Sequence, residues 1–195
     1  MTARLTLPEL GLLTLREPKA ASEIILRWNL SKEAIWTSIG LVSVLATILS
    51  TLSNMLFPVP APLGVLAANP FIYFLITAGG FVLMAQAVFW TGRMMGGQGR
   101  IEDLMVLLVW LQAMRIAAQA MVMVLLLIMP ALASMFVIFV MLASLWVFVH
   151  FINAALRLES LGRAVLVLFV AALIVIASAT LILSILGVST VGVPV

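Results

Sequence analysis

The sequence predicts an all-α polytopic membrane protein, with five transmembrane helices preceded by an N-terminal amphipathic interfacial segment. Three observations carry this. Of the 195 residues, 65% are hydrophobic and 9% charged, with a mean hydropathy of +1.32, whereas a soluble domain carries about 25% charged residues. Five stretches reach the roughly 20 apolar residues that a helix needs to cross a bilayer. The basic residues outside those stretches, finally, fall only in the N-terminal tail and in alternate connections.

Residues 1–30 read as a cytoplasmic amphipathic tail that is retained. A cleavable signal has an uncharged apolar run, and here Glu9, Arg16, Glu17, Lys19, Glu23 and Arg27 interrupt the chain. The leucine-rich stretch Leu5–Leu15 and the segment KAASEIILRWNL fit short amphipathic helices lying in the interface. Trp28 and Trp36 are expected at headgroup depth. The tail reads first as a juxtamembrane anchor and second as a partner-binding element.

Residues 31–195 read as one five-helix transmembrane domain. The first span, about 34–57, follows Ser31 as N-cap, with Glu33 near the positive helix end. The second, about 71–91, is announced by Asn69-Pro70, a capping residue followed by proline at the first helical position. The third, about 104–129, and the fourth, about 131–151, meet at Pro130. As one helix they would extend about 70 Å, roughly twice the bilayer core, so proline marks a hairpin. The fifth runs over about 164–186, leaving GVSTVGVPV.

Arg4, Arg16, Lys19, Arg27 and Lys32 precede the first span, Arg93 and Arg100 follow the second, and Arg157 and Arg163 follow the fourth. The connection 58–69, the Pro130 turn and the C-terminus carry no basic residue. With five spans those three segments share one side. The positive-inside rule then places the N-terminus in the cytoplasm and the C-terminus outside.

The loop GRMMGGQGRIEDL invites a search for a phosphate cradle. A P-loop needs Lys-Ser or Lys-Thr after its glycines and a strand before them, and this loop has neither. The dinucleotide fingerprint fails as well, so no nucleotide partner is expected. A tight reversal between spans explains the composition better. Gly96, Gly97 and Gly99 supply positive φ angles, and Glu102 and Asp103 begin the next helix where carboxylates complement exposed amides. Arg93 and Arg100 are expected to pair with those acids or with lipid phosphates.

Arg115 lies about twelve residues into the third span, roughly 17 Å from its start. An unpaired charge at that depth costs several kcal/mol. Gln112 and Gln119 stand at i−3 and i+4, on the same helix face. No span contains an acidic mate, so carbonyls, Gln86, Ser144, water or another subunit are the expected partners. Helix association is the leading reading of this polar face, ahead of an anionic ligand or snorkelling. His150 and Asn153 read as a polar pair at the end of the fourth helix, with His150 favoured there by the dipole. Ser43, Thr47 and Ser50 read as small-residue packing surface, and the twelve methionines as gap-fillers.

The chain has no cysteine and one histidine, which excludes disulfides and thiolate chemistry and argues against a metal site. No nucleophile–base–orienter set is legible, and neither cofactor nor nucleic acid is expected.

Taken together, the LREPKAA tail, five spans, the GGQG loop, EDLMVLLVWLQ and HFINAALRLESLGRAV resemble bacterial members of the Ypt-interacting-protein (Yip) family. The resemblance covers nearly the whole chain and implies five helices with a cytoplasmic N-terminus. Together with the charge placement, it implies that the C-terminus lies on the periplasmic side of a bacterial inner membrane. Its eukaryotic relatives bind small GTPases of vesicle traffic and act in membrane shaping. The tail here is shorter than theirs, which bears against carrying GTPase binding over, and no catalytic residue is implied. The expected function is a non-enzymatic scaffold, assembly or accessory component, with lipids and either other membrane proteins or its own copies as partners. The alternative is a small transporter or channel subunit with an anion path along Gln112, Arg115 and Gln119.

Overall fold

A computed structural model of the chain describes residues 6–58 and 69–185, with side chains as far as residue 181. Arg4, Leu5, most of the connection 58–69 and the closing GVSTVGVPV segment lie outside the described residues. Among the described residues seven α-helices are formed: α1 (Leu7–Arg16), α2 (Pro18–Leu26), α3 (Lys32–Leu56), α4 (Pro70–Met94), α5 (Ile101–Ile128), α6 (Pro130–Leu156) and α7 (Leu161–Ile185). The last five are long and apolar enough to cross a membrane.

Local chemistry sets the helix starts. The Ser31 hydroxyl accepts from the Ala34 amide at 3.2 Å. The Asn69 side-chain oxygen accepts from the Phe71 and Ile72 amides at 3.0 and 3.2 Å. Each satisfies donors that the first helical turn leaves orphaned. Met129 leaves the helical conformation, at φ −152° and ψ 89°, between Ile128 and Pro130, making the α5–α6 hairpin.

Several helices outrun the apolar stretches that announce them. α4 continues through Gly92 and Arg93, and α6 continues past His150 to Leu156. Backbone hydrogen bonding does not stop where hydropathy falls, and Phe151, Ile152, Ala155 and Leu156 still have a core to enter. α6 ends at Arg157, which takes the left-handed conformation at φ 54°.

The five long helices form a ring in which α3 packs on α4 and α5, α4 on α7, and α6 on α5 and α7. Their packing is uneven along the axis. At the end carrying Arg93, Arg100, Arg157 and Arg163, hereafter the basic end, the helices close on Ala85, Val88, Leu104, Leu107, Phe151, Leu156 and Val167, all buried. Toward the Pro130 hairpin the described residues leave space between helices.

The tail does not merely lie in the interface. α2 packs against α5 and α6, and α1 against α6. Leu10, Ala21 and Ile25 belong to the same buried cluster as Leu107 and Phe151. The amphipathic pattern thus has two apolar audiences: Leu10 and Ile25 face the bundle, while Leu7, Leu12 and Leu15 remain exposed.

Candidate functional site: a polar cavity among four helices

The glycine-rich loop sits at the basic end and is held by the end of α6. The Gln98 and Gly99 amides both donate to the Leu156 carbonyl, at 2.9 and 3.3 Å. This satisfies a carbonyl that the end of a helix would otherwise leave without a partner. Of the three glycines expected to supply positive φ, Gly96 alone does so, at φ 88°. Gly97 and Gly99 serve close approach instead. A Cβ on Gly97 would come within 2.8 Å of the Gly92 carbonyl oxygen, and one on Gly99 would overlap the Ala155 carbonyl.

Glu102 pairs with Arg100 at 3.6 Å, as the sequence leads one to expect, and also with Lys32 at 3.4 Å. The second pair ties the start of α5 to that of α3. Arg93 instead stands 5.9 Å above the Phe89 ring. Asp103 shares a polar surface recess with Lys32, Arg100 and Glu102.

His150 and Asn153 part company. The His150 Nδ1 lies 2.9 Å from the Trp146 carbonyl oxygen, one turn back within α6, so this nitrogen carries the hydrogen. Its ring rests 4.1 Å from that of Trp146. The residue that links α6 to α7 is Asn153. Its carbonyl accepts from the Leu158 amide at 3.2 Å and its side-chain oxygen from the Ser160 amide at 3.2 Å.

Gln112, Arg115 and Gln119 line a cavity of about 690 Å³ walled by α3, α4, α5 and α6. Tyr73, Thr77 and Ser144 add polar groups, and Val122, Val137 and Met141 add apolar wall. A smaller chamber of about 230 Å³ shares Thr77, Gln112 and Arg115 and is completed by Ser43, Gly80 and Phe148. Ser43 is 1% exposed, and among the described residues its hydroxyl has no hydrogen-bond partner. Sequence reasoning read Ser43 as packing surface and missed Tyr73 and Thr77; their depth relative to Arg115 is not written in any local pattern. Among the described residues, no ion pair or side-chain hydrogen bond to Arg115 is formed. Ser144 lies at the cavity, but Gln86, the other side chain expected near Arg115, does not line it. Gln86 occupies an outward groove of α4 between α3 and α7, with Gly40, Gly79, Trp36 and Trp90.

The Yip1 domain family matches residues 12–182 of the chain. The chain belongs to the Yip1 domain family. The match begins inside α1, so it takes in α2 as well as the five spans. No curated protein and no solved structure matches the chain. In this multi-pass Yip1 domain protein, Gln112, Arg115 and Gln119 on α5 face one shared cavity.

Proposed function

We propose that this Yip1 domain protein is a non-enzymatic scaffold or accessory component of a bacterial inner membrane, associating with other membrane proteins or with its own copies. The observation that carries this reading is Gln86. Its amide is exposed on an outward groove of α4, among the small residues Gly40, Ala78 and Gly79 and between Trp36 and Trp90. Acyl chains offer an amide no hydrogen bond, whereas a second helix lying on small residues can come close enough to provide one.

The proposed orientation places the basic end and the N-terminus in the cytoplasm, following the distribution of Arg and Lys. Single cysteines introduced into this cysteine-free chain at Gln98 and at Met129 should label from opposite sides.

An anion path along Gln112, Arg115 and Gln119 draws support from the cavity. The route onward to the basic end, however, is filled by Leu104, Leu107, Leu108 and Phe151, all buried, which favours the scaffold. The deciding experiment is mild-detergent purification of wild type and Gln86→Leu, followed by native electrophoresis and mass spectrometry of co-purifying proteins. Intramembrane hydrogen bonds contribute about 0.6 to 2 kcal/mol, so association should weaken roughly threefold or more. Unchanged assembly in the variant would refute the role given to the groove.

A further inference from the structure

The geometry points to a binding site for a single-chain anionic amphiphile, whose carboxylate or phosphate head sits against Arg115 and whose chain occupies the cavity among α3, α4, α5 and α6. This inference is independent of the Gln86 groove.

The head position follows from the donors. Arg115, Gln112, Thr77 and Ser43 all line the smaller chamber. A guanidinium presents a planar fork of N–H donors matched to carboxylate and phosphate oxygens. The Gln112 amide and the Thr77 hydroxyl add uncharged donors around it. Arg115 is the costly group as it stands: an exposed charge about 21 Å along α5 with no acidic partner among the described residues. One anionic head with several acceptor oxygens supplies that partner.

The chain position follows from the walls. From Arg115 the larger cavity passes Gln119 to Val122, Val137, Met141 and Leu145. α7 contributes nothing to that lining. Met141, Leu142 and Leu145 are each more than half exposed, so the cavity opens sideways where acyl chains lie. Its volume, about 690 Å³, is that of a small-ligand site and suits one chain. An ionic solute arriving from water would have no use for this apolar extension. An amphiphile entering from the bilayer brings a counter-charge for Arg115, and pairing reduces the desolvation cost that each charge bears alone.

Gly80 provides a test that leaves every polar group in place. It faces the smaller chamber, and a Cβ there would meet nothing within 4 Å. Gly80→Leu should therefore fill the head position without clashing with the backbone. The full chain, reconstituted in phosphatidylcholine nanodiscs, is titrated with radiolabelled laurate and with dodecyl phosphate, against empty nanodiscs as background. Dodecanol and inorganic phosphate serve as competitors.

Saturable binding of either anion is expected, with at least a tenfold loss in both Arg115→Gln and Gly80→Leu and a smaller loss in Arg115→Lys. Binding of laurate alone or dodecyl phosphate alone would support the site and identify its head chemistry. Three results would overturn it: no binding above empty nanodiscs, wild-type affinity in both variants, or displacement by dodecanol or inorganic phosphate as effective as by the anionic amphiphile. Should Arg115→Gln fail to fold, Gly80→Leu decides alone.

Discussion

The Trp110 indole N–H donates to the Thr14 hydroxyl at 3.0 Å, joining the N-terminal tail to the third membrane span. Thr14 in turn donates to the Leu10 carbonyl at 2.8 Å. The Trp28 ring meets Trp110 edge-on, with centroids 5.8 Å apart. Trp110 is thus held from two sides by residues that precede the first span. α1 and α2 also continue the core built by α5 and α6. In this chain the tail is packed as part of the bundle, and a partner approaching it would meet the outer face of α1, with Leu7, Leu12 and Leu15.

Replacing Thr14 by valine keeps the volume and removes the acceptor for Trp110. A buried donor left unpaired costs about 1 to 3 kcal/mol, and Thr14 is fully buried. The tail should loosen while the five spans remain assembled. Limited trypsin digestion then cuts at Arg16, Lys19 or Arg27 several times faster than in wild type. Equal cutting rates would show that the hydrogen bond contributes nothing to docking.

The start of α1 carries a pH dependence of known sign. The Thr6 amide donates to the Glu9 carboxylate at 2.7 Å, completing a capping box. This bond, together with the Thr6 side chain, holds Glu9 below its ordinary pKa of 4.5. A depressed carboxylate stabilises the fold above its unfolded pKa, and that contribution disappears as pH falls through the lower folded value. The Thr6 amide resonance should therefore titrate with a midpoint below 4.5 and become flat over the same window in Glu9→Gln. A midpoint at or above 4.5 would contradict the capping geometry.

What could be read in advance was local. Ser31, Asn69-Pro70 and Pro130 announce helix starts through chemistry confined to one turn. The shared face of Gln112, Arg115 and Gln119 follows from helical spacing alone. The misreadings involve distance along the chain. Gly97 and Gly99 are glycines because the end of α6 lies against them, and nothing in GGQG records that neighbour. The final turn of α6 was invisible to hydropathy because NAAL is mixed, although Ala155 and Leu156 are buried. Ser43 looked like packing surface because its depth relative to Arg115 depends on how α3 and α5 are placed side by side.

Arg157 should be improvable. It ends α6 at φ 54° and ψ 46°, a conformation that costs an L-residue roughly 1 to 2 kcal/mol and glycine little. Arg157→Gly relieves this strain. Glycine also adds freedom to the unfolded chain, offsetting about 0.4 to 1 kcal/mol. A net gain of about 0.5 kcal/mol is expected, read as a higher thermal unfolding midpoint in detergent. A lower midpoint would mean that the Arg157 side chain contributes more than its backbone costs.

The loop glycines give the sharpest contrast, because two alanine substitutions three residues apart fail for different reasons. At Gly96 the space is open and only the φ of 88° resists a side chain, so Gly96→Ala should cost about 1 kcal/mol. At Gly99 the conformation is not the obstacle. A Cβ there would overlap the Ala155 carbonyl, and relieving that overlap means drawing the loop off Leu156 and breaking the hydrogen bonds from Gln98 and Gly99. Steric strain of about 1 to 3 kcal/mol then adds to the loss of two bonds at about 1 kcal/mol each. Gly99→Ala should lower the thermal unfolding midpoint well below that of Gly96→Ala. If the loop were only a flexible reversal between spans, the order would be inverted, since positive φ would be its sole demand on glycine.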